Sequence, residues 1–134
     1  MLSKEILKLE INVIIRPRGG NFIYTEEEIK IMEKDIELCR EMGVDGVVLG
    51  ALTEDNNIDE KTIKRFIDKA GDLSITFHMA FDEIEDQKAG LDKLVELGIS
   101  RVLTKGGKGR AIDNIDNLKK LVDYAGDRIM SIDN

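Results

Sequence analysis

Histidine occurs once in this sequence, at His78, so any proton transfer near neutral pH falls most naturally to that imidazole. Asp82 stands four residues further on, near enough to orient the ring or to share a metal ion with it. The competing use of His78 is a plain hydrogen bond to backbone inside the fold. Arg16 and Arg18 bracket the only proline, Pro17, and Gly19 and Gly20 follow at once. Two guanidinium forks beside glycines that can expose successive backbone N–H groups suit a phosphate or a carboxylate. Structural salt bridges compete for the same arginines. A third cluster runs Thr104-Lys105-Gly106-Gly107-Lys108-Gly109-Arg110 and opens a helix near Ala111 or Ile112. Cations at a helix N-terminus can receive an anion, although no Gly-Lys-Ser/Thr ending makes this a Walker loop. A solvated loop is the alternative there.

Other reactive side chains read as structural. Cys39 lies on the apolar stripe of a helical pattern and is expected in the core. Thr53-Glu54-Asp55-Asn56-Asn57 is acidic but lacks the EF-hand pattern, so we expect a turn with a helix cap. Met79 offers a soft thioether for Cu(I). As a strand neighbour of His78 it should point to the opposite face, packed against a helix.

These residues need elements to position them, and the elements repeat. Gly43, Gly71, Gly98 and Gly126 are separated by 28, 27 and 28 residues, and each follows a helical stripe and precedes a strand-like run. The stripes are Ile29-Met32-Ile36-Cys39, then Ile63-Phe66-Ile67-Ala70, then Leu91-Leu94-Val95-Leu97, then Ile112-Ile115-Leu118-Leu121-Val122-Ala125. Thr25 with Glu28 forms a capping box at the first. Each glycine is expected to end its helix in left-handed geometry. The strands are expected at Ile11 to Arg16, with Val13, Ile14 and Ile15 covered on both faces, and at 46–50, 74–78, 101–104 and 128–132. Met1 to Glu10 looks like the remnant of a helix. Near-equal βα units favour a parallel (β/α)₈ barrel over a doubly wound sheet. Eight such units need about 220 residues, and this chain holds five strands and four to five helices. The fold expected is therefore α/β, an incomplete TIM barrel forming one domain over residues 1–134. In such a fold Arg16, Arg18, His78, Asp82, Thr104 and Lys105 all sit at or just past strand ends, the face that carries function.

Composition narrows the function. With 20 Lys and Arg against 27 Asp and Glu, the net charge of −7 argues against nucleic acid or an anionic membrane as partner. No apolar run approaches a membrane span, and the N-terminus carries no signal-peptide pattern. One cysteine cannot form an internal disulfide, which fits the cytoplasm.

Ile15-Arg16-Pro17-Arg18-Gly19-Gly20-Asn21-Phe22, Phe77-His78-Met79-Ala80-Phe81-Asp82 and Leu103-Thr104-Lys105-Gly106-Gly107 resemble, in order and separation, signatures of the CutC copper-homeostasis family. The resemblance runs from about Ile11 to Arg128. It implies a cytoplasmic (β/α)₈ barrel associated with copper handling, without an established catalytic reaction. It also implies that the family's first two strands and last strand have no counterpart here, and that the cysteines proposed to hold copper lie in that N-terminal part. Three functions follow as expectations. The first is binding or delivery of copper as Cu(I), with His78 as the metal-ligating residue. The second is an enzyme for a small phosphate- or carboxylate-bearing metabolite. There Arg16, Arg18, Gly19, Gly20, Thr104 and Lys105 bind the anion, His78 moves a proton and Asp82 orients it. The third is a truncated fragment without function. Open parallel edges further predict a homo-oligomer.

Overall fold

The computed structural model describes residues 9–133. The helix remnant expected at Met1 to Glu10 lies almost wholly outside them. Five parallel strands form one sheet: β1 (Asn12–Ile14), β2 (Gly46–Leu49), β3 (Ser74–Phe77), β4 (Arg101–Thr104) and β5 (Met130–Asp133). Their spatial order is β1-β2-β3-β4-β5, the same as in the chain. Between them run α1 (Glu26–Met42), α2 (Glu60–Ala70), α3 (Gln87–Leu97) and α4 (Ile115–Ala125). Short 3-10 segments at Met79–Glu83 and Ala111–Asn114 precede α3 and α4. Sequential order with every neighbour parallel is the arrangement of successive βα units in a barrel wall.

Three of the four helices start at a side-chain cap, and α4 instead continues from the 3-10 segment before it. Thr25 Oγ1 accepts from Glu28 N–H while the Glu28 carboxylate accepts from Thr25 N–H, the complete capping box. Asp59 and Asp86 cap α2 and α3 by accepting from Thr62 N–H and Ala89 N–H. Gly43 and Gly98 end α1 and α3 in left-handed geometry. Gly71 and Gly126 also take positive φ but with ψ of −116° and −131°, so the chain leaves α2 and α4 in another direction. Each of these two instead donates one N–H back to the last turn, to Ile67 and Val122.

The core lies between the sheet and its helices. Met32, Ile36, Ile63, Phe66, Leu91 and Leu94 bury their stripes against Ile15, Val47, Leu49, Phe77 and Val102 of the sheet. Cys39 is buried among them, as its place in the stripe required. The fourth stripe holds only in part. Leu118, Leu121 and Ala125 are buried, whereas Ile112, Ile115 and Val122 are exposed. Ile112 falls in the 3-10 segment before α4, where the phase of the helical stripe does not apply.

Strand alternation puts Asn12, Ile14, Val48, Thr76 and Arg101 on the other face of the sheet, in register across four strands. Cover on both faces of β1 is not found. Ile15 is only 2% exposed, but Ile14 is 68% exposed. The helices cover one face, and no described residue packs over Ile14 on the inner face.

Candidate functional site

The ladder persists just beyond the strand ends, with Ile15 N–H donating to Val48 O and His78 N–H to Leu49 O. Continuing the register by two residues from Ile14, Val48 and Thr76 brings Arg16, Gly50 and His78 to one level on the inner face. Gly50 is the middle member and makes the arrangement possible. A Cβ there would stand 2.5 Å from His78 Cε1 and 2.8 Å from Nδ1. The imidazole therefore lies across a position that only glycine leaves open. Phe22, from the loop after β1, tilts over the ring at 4.9 Å between centroids. The Arg16 guanidinium lies 4.6 Å above the Phe22 ring.

His78 is 7% exposed and caps the 3-10 segment that follows. Its Nδ1 accepts from Ala80 N–H at 3.1 Å. A nitrogen that accepts cannot carry the proton, so in the neutral ring the proton sits on Nε2. Nε2 is buried and has no hydrogen-bond partner among the described residues. Burial, reinforced by the charge of Arg16, pushes the imidazole pKa down to about 4, so the ring is neutral across the physiological range. Asp82 does not orient this ring, contrary to expectation. Its carboxylate accepts from Thr104 Oγ1 and from Lys105 N–H at 3.0 and 3.1 Å. Thr104 Oγ1 in turn accepts from Gly106 N–H. Burial raises the Asp82 pKa, and the Thr104 hydrogen bond opposes that shift. Asp82, Thr104 and Lys105 thus tie the 3-10 segment to the end of β4. Met79 is the first residue of that segment and is 38% exposed, so it is not packed away behind the strand.

The two arginines have separate uses. Arg18 donates from Nε to Glu28 at 2.5 Å and from its Nη atoms to the carbonyls of Gly19, Asn21 and Ile23. It binds the loop to the start of α1, and the structural salt bridge describes it. Gly20 takes positive φ, but Gly19 does not. The carbonyls of the pair face the arginines, with Gly20 O accepting from Arg16 at 2.7 Å. The expected cradle of successive N–H groups is therefore absent from this pair. Only Arg16, exposed and beside His78, keeps the placement of an anion ligand.

The loop after Thr104 is organised by two residues that sequence reasoning missed. Asn114 donates to the carbonyls of Lys108 and Arg110, and Asn117 donates to Gly106 O and Gln87. Gly106 and Gly107 line a cleft with Asp55, Asp82, Glu83, Glu85 and Lys108. Lys108 lies 3.7 Å from Glu83. That cleft is too rich in carboxylates to favour an anion. Thr53 to Asn57 form the expected turn, with Thr53 N–H donating to Asn57 O and Asn57 N–H donating to Thr53 Oγ1.

Among the described residues no group of three or more His, Cys, Asp or Glu comes together as a metal site. No helix among them is long and apolar enough to cross a membrane. Gly50 and Phe22 were also missed. A glycine closing the run Val47-Val48-Leu49 was the signal for the first.

The CutC family matches residues 2–133. The chain is 49% identical over 123 residues to a family protein CutC of Parabacteroides distasonis, covering 92% of this chain and 51% of that protein. It is 41% identical over 127 residues to the mouse copper homeostasis protein cutC homolog, covering 95% of this chain and 47% of the relative. A solved CutC structure from Streptococcus agalactiae matches with a TM-score of 0.90 at 42% identity, covering 96% of this chain and 64% of the other. The chain spans about half the length of the curated relatives it matches.

Proposed function

The chain belongs to the CutC family, and from that premise we propose that it serves copper homeostasis in the cytoplasm through a ligand-recognising mouth at its strand ends. Copper is cargo in this proposal, not a resident ion. Family membership supports the role, and a lone buried cysteine fits a reducing compartment. The observation that carries the mouth is the direction of the His78 hydrogen bond. A metal-bound imidazole ordinarily donates its second N–H to an acceptor, which leaves the other nitrogen free for the metal. His78 does the reverse, accepting from Ala80 N–H and presenting Nε2–H. Cu(I) could take Nε2 only by displacing that proton or by forcing the tautomer that loses the Ala80 bond. The ring is thus prepared to donate to a ligand oxygen. Competition for Cu(I) against a chromophoric chelator tests this. We expect His78→Phe to leave Cu(I) affinity unchanged within about twofold. A tenfold loss with release of one proton on binding would put copper on this imidazole.

One observation favours a second reading, an enzyme acting on a small anionic metabolite. A neutral buried imidazole beside an arginine can polarise a carbonyl or phosphoryl oxygen. The proposal extends to assembly. β1 and β5 each pair on one side only among the described residues, and Ile14 is exposed on the inner face. We infer that a second copy covers them. Light scattering on the purified chain should give a dimer or larger species, and a monomer would refute the inference.

A further inference from the structure

We propose that Arg16 and His78 form a two-donor seat for a small oxyanion, a carboxylate or a phosphate, with the imidazole held in place over Gly50. The inference rests on the strand-end mouth being a ligand site and names what that site takes. Three observations converge on it. First, His78 is more than nine-tenths buried, and its Nε2 is a buried polar atom that no described group satisfies. Buried donors are nearly always paired, so an unpaired one marks a place kept for something else. Second, the side chain facing it from β1 is cationic. Arg16 is close enough for its charge to disfavour the imidazolium, and besides donating to Gly20 O it reaches only the Tyr24 hydroxyl among the described side-chain oxygens. A guanidinium has five N–H donors in a planar fork, which leaves donors for two oxygens of an anion. Third, Gly50 separates the two at the same level of the sheet and contributes no side chain. Any other residue there would collide with the imidazole.

The chemistry that fits is a ligand with at least two acceptor oxygens and negative charge. One oxygen accepts from Nε2–H and another from the Arg16 fork. A cation is rejected by Arg16, and a neutral apolar group would leave both donors unpaired. Arg18 takes no part, because Glu28 and three carbonyls already hold its guanidinium. Phe22 covers the ring and carries Arg16 above it, so ligand entry moves both together.

The test uses the whole chain, labelled with ¹⁵N and titrated separately with inorganic phosphate and with acetate. The His78 ring nitrogens and the Arg16 Nε are observed. We expect a saturable shift of His78 Nε2 and Arg16 Nε with at least one of the two anions. Arg16→Ala should weaken binding at least tenfold. Arg16→Lys, which keeps the charge without the fork, should weaken it by an intermediate factor, and Lys108→Ala should leave it unchanged. His78→Phe keeps a ring over Gly50 but no donor, and should also weaken binding at least tenfold. If that variant fails to fold, the two Arg16 variants decide alone, because their side chain is exposed. Absence of a saturable shift at His78, or equal affinity in Arg16→Ala, overturns the seat. Its failure is separable from failure of the mouth itself. Loss of Cu(I) affinity in His78→Phe would overturn both, whereas retained Cu(I) affinity with no anion binding overturns the oxyanion seat alone.

Discussion

Acidification should weaken the folded chain through His78 in a calculable way. In the unfolded chain the imidazole has its ordinary pKa of 6.5, and in the folded chain burial and Arg16 hold it at about 4. Between those values the unfolded chain binds the extra proton and the folded chain does not. Stability is therefore complete above pH 6.5 and falls as pH drops through the window toward 4. Each unit is worth about 1.4 kcal/mol, so the full window costs about 3 kcal/mol. That is a large share of the 5–15 kcal/mol typical of a domain. Asp82 works the other way, since its folded pKa is raised and its protonation favours the folded state as pH falls. Other carboxylates titrate in the same range, so the measurement must be a difference. Urea unfolding followed by circular dichroism at several pH values between 7.5 and 4.5 would be compared for the native chain and His78→Phe. The variant loses the acceptor for Ala80 N–H at every pH, a constant offset. The pH-dependent part of the difference should be flat above about pH 7 and reach about 2–3 kcal/mol by pH 4.5. A difference that does not change with pH would show that the folded imidazole titrates normally, and the reasoning about its burial would fail.

Three further outcomes follow from the same contacts. Gly50→Ala forces a methyl against the His78 ring and should destabilise by about 1–3 kcal/mol, the usual range for overpacking. Combined with His78→Ala the two effects should be clearly less than additive, and an additive double-mutant cycle would deny the contact. Thr104→Val removes a buried donor from Asp82 and should cost about 1.5–3 kcal/mol in urea unfolding while raising the Asp82 pKa further. Thr25→Ala breaks the capping box of α1 and should cost about 1 kcal/mol, with thermal or urea unfolding as the check.

Local features were the legible ones. The capping box at Thr25, the strand at Arg101–Thr104 and the burial of Cys39 each depend on residues within one or two turns of each other, and the pattern carries them. The resemblance to the CutC family could be seen in three short stretches, and the family match and the solved relative agree with it. What could not be read was the destination of side chains whose partners lie far along the chain. Arg18 finds Glu28 ten residues on, and Asp82 finds Thr104 twenty-two residues on. Arg18 is also held by the nearby carbonyls of Gly19, Asn21 and Ile23, and backbone acceptors leave no mark in the residue types. The reverse error occurred at β1. Val13, Ile14 and Ile15 read as covered on both faces, because an apolar run cannot report which of its faces has a neighbour. The last strand begins two residues later than expected, at Met130, since the Arg128 backbone N–H still donates to Ala125 O in the turn that follows α4.

The position of one proton tests the functional claim most directly. A long-range ¹H–¹⁵N correlation spectrum of the His78 ring at pH 7 distinguishes a protonated from an unprotonated nitrogen at each site. We predict a neutral ring with the proton on Nε2 and a bare Nδ1 accepting from Ala80 N–H. A proton on Nδ1, or a doubly protonated ring, would contradict the donor role of Nε2 and with it the oxyanion seat beside Arg16.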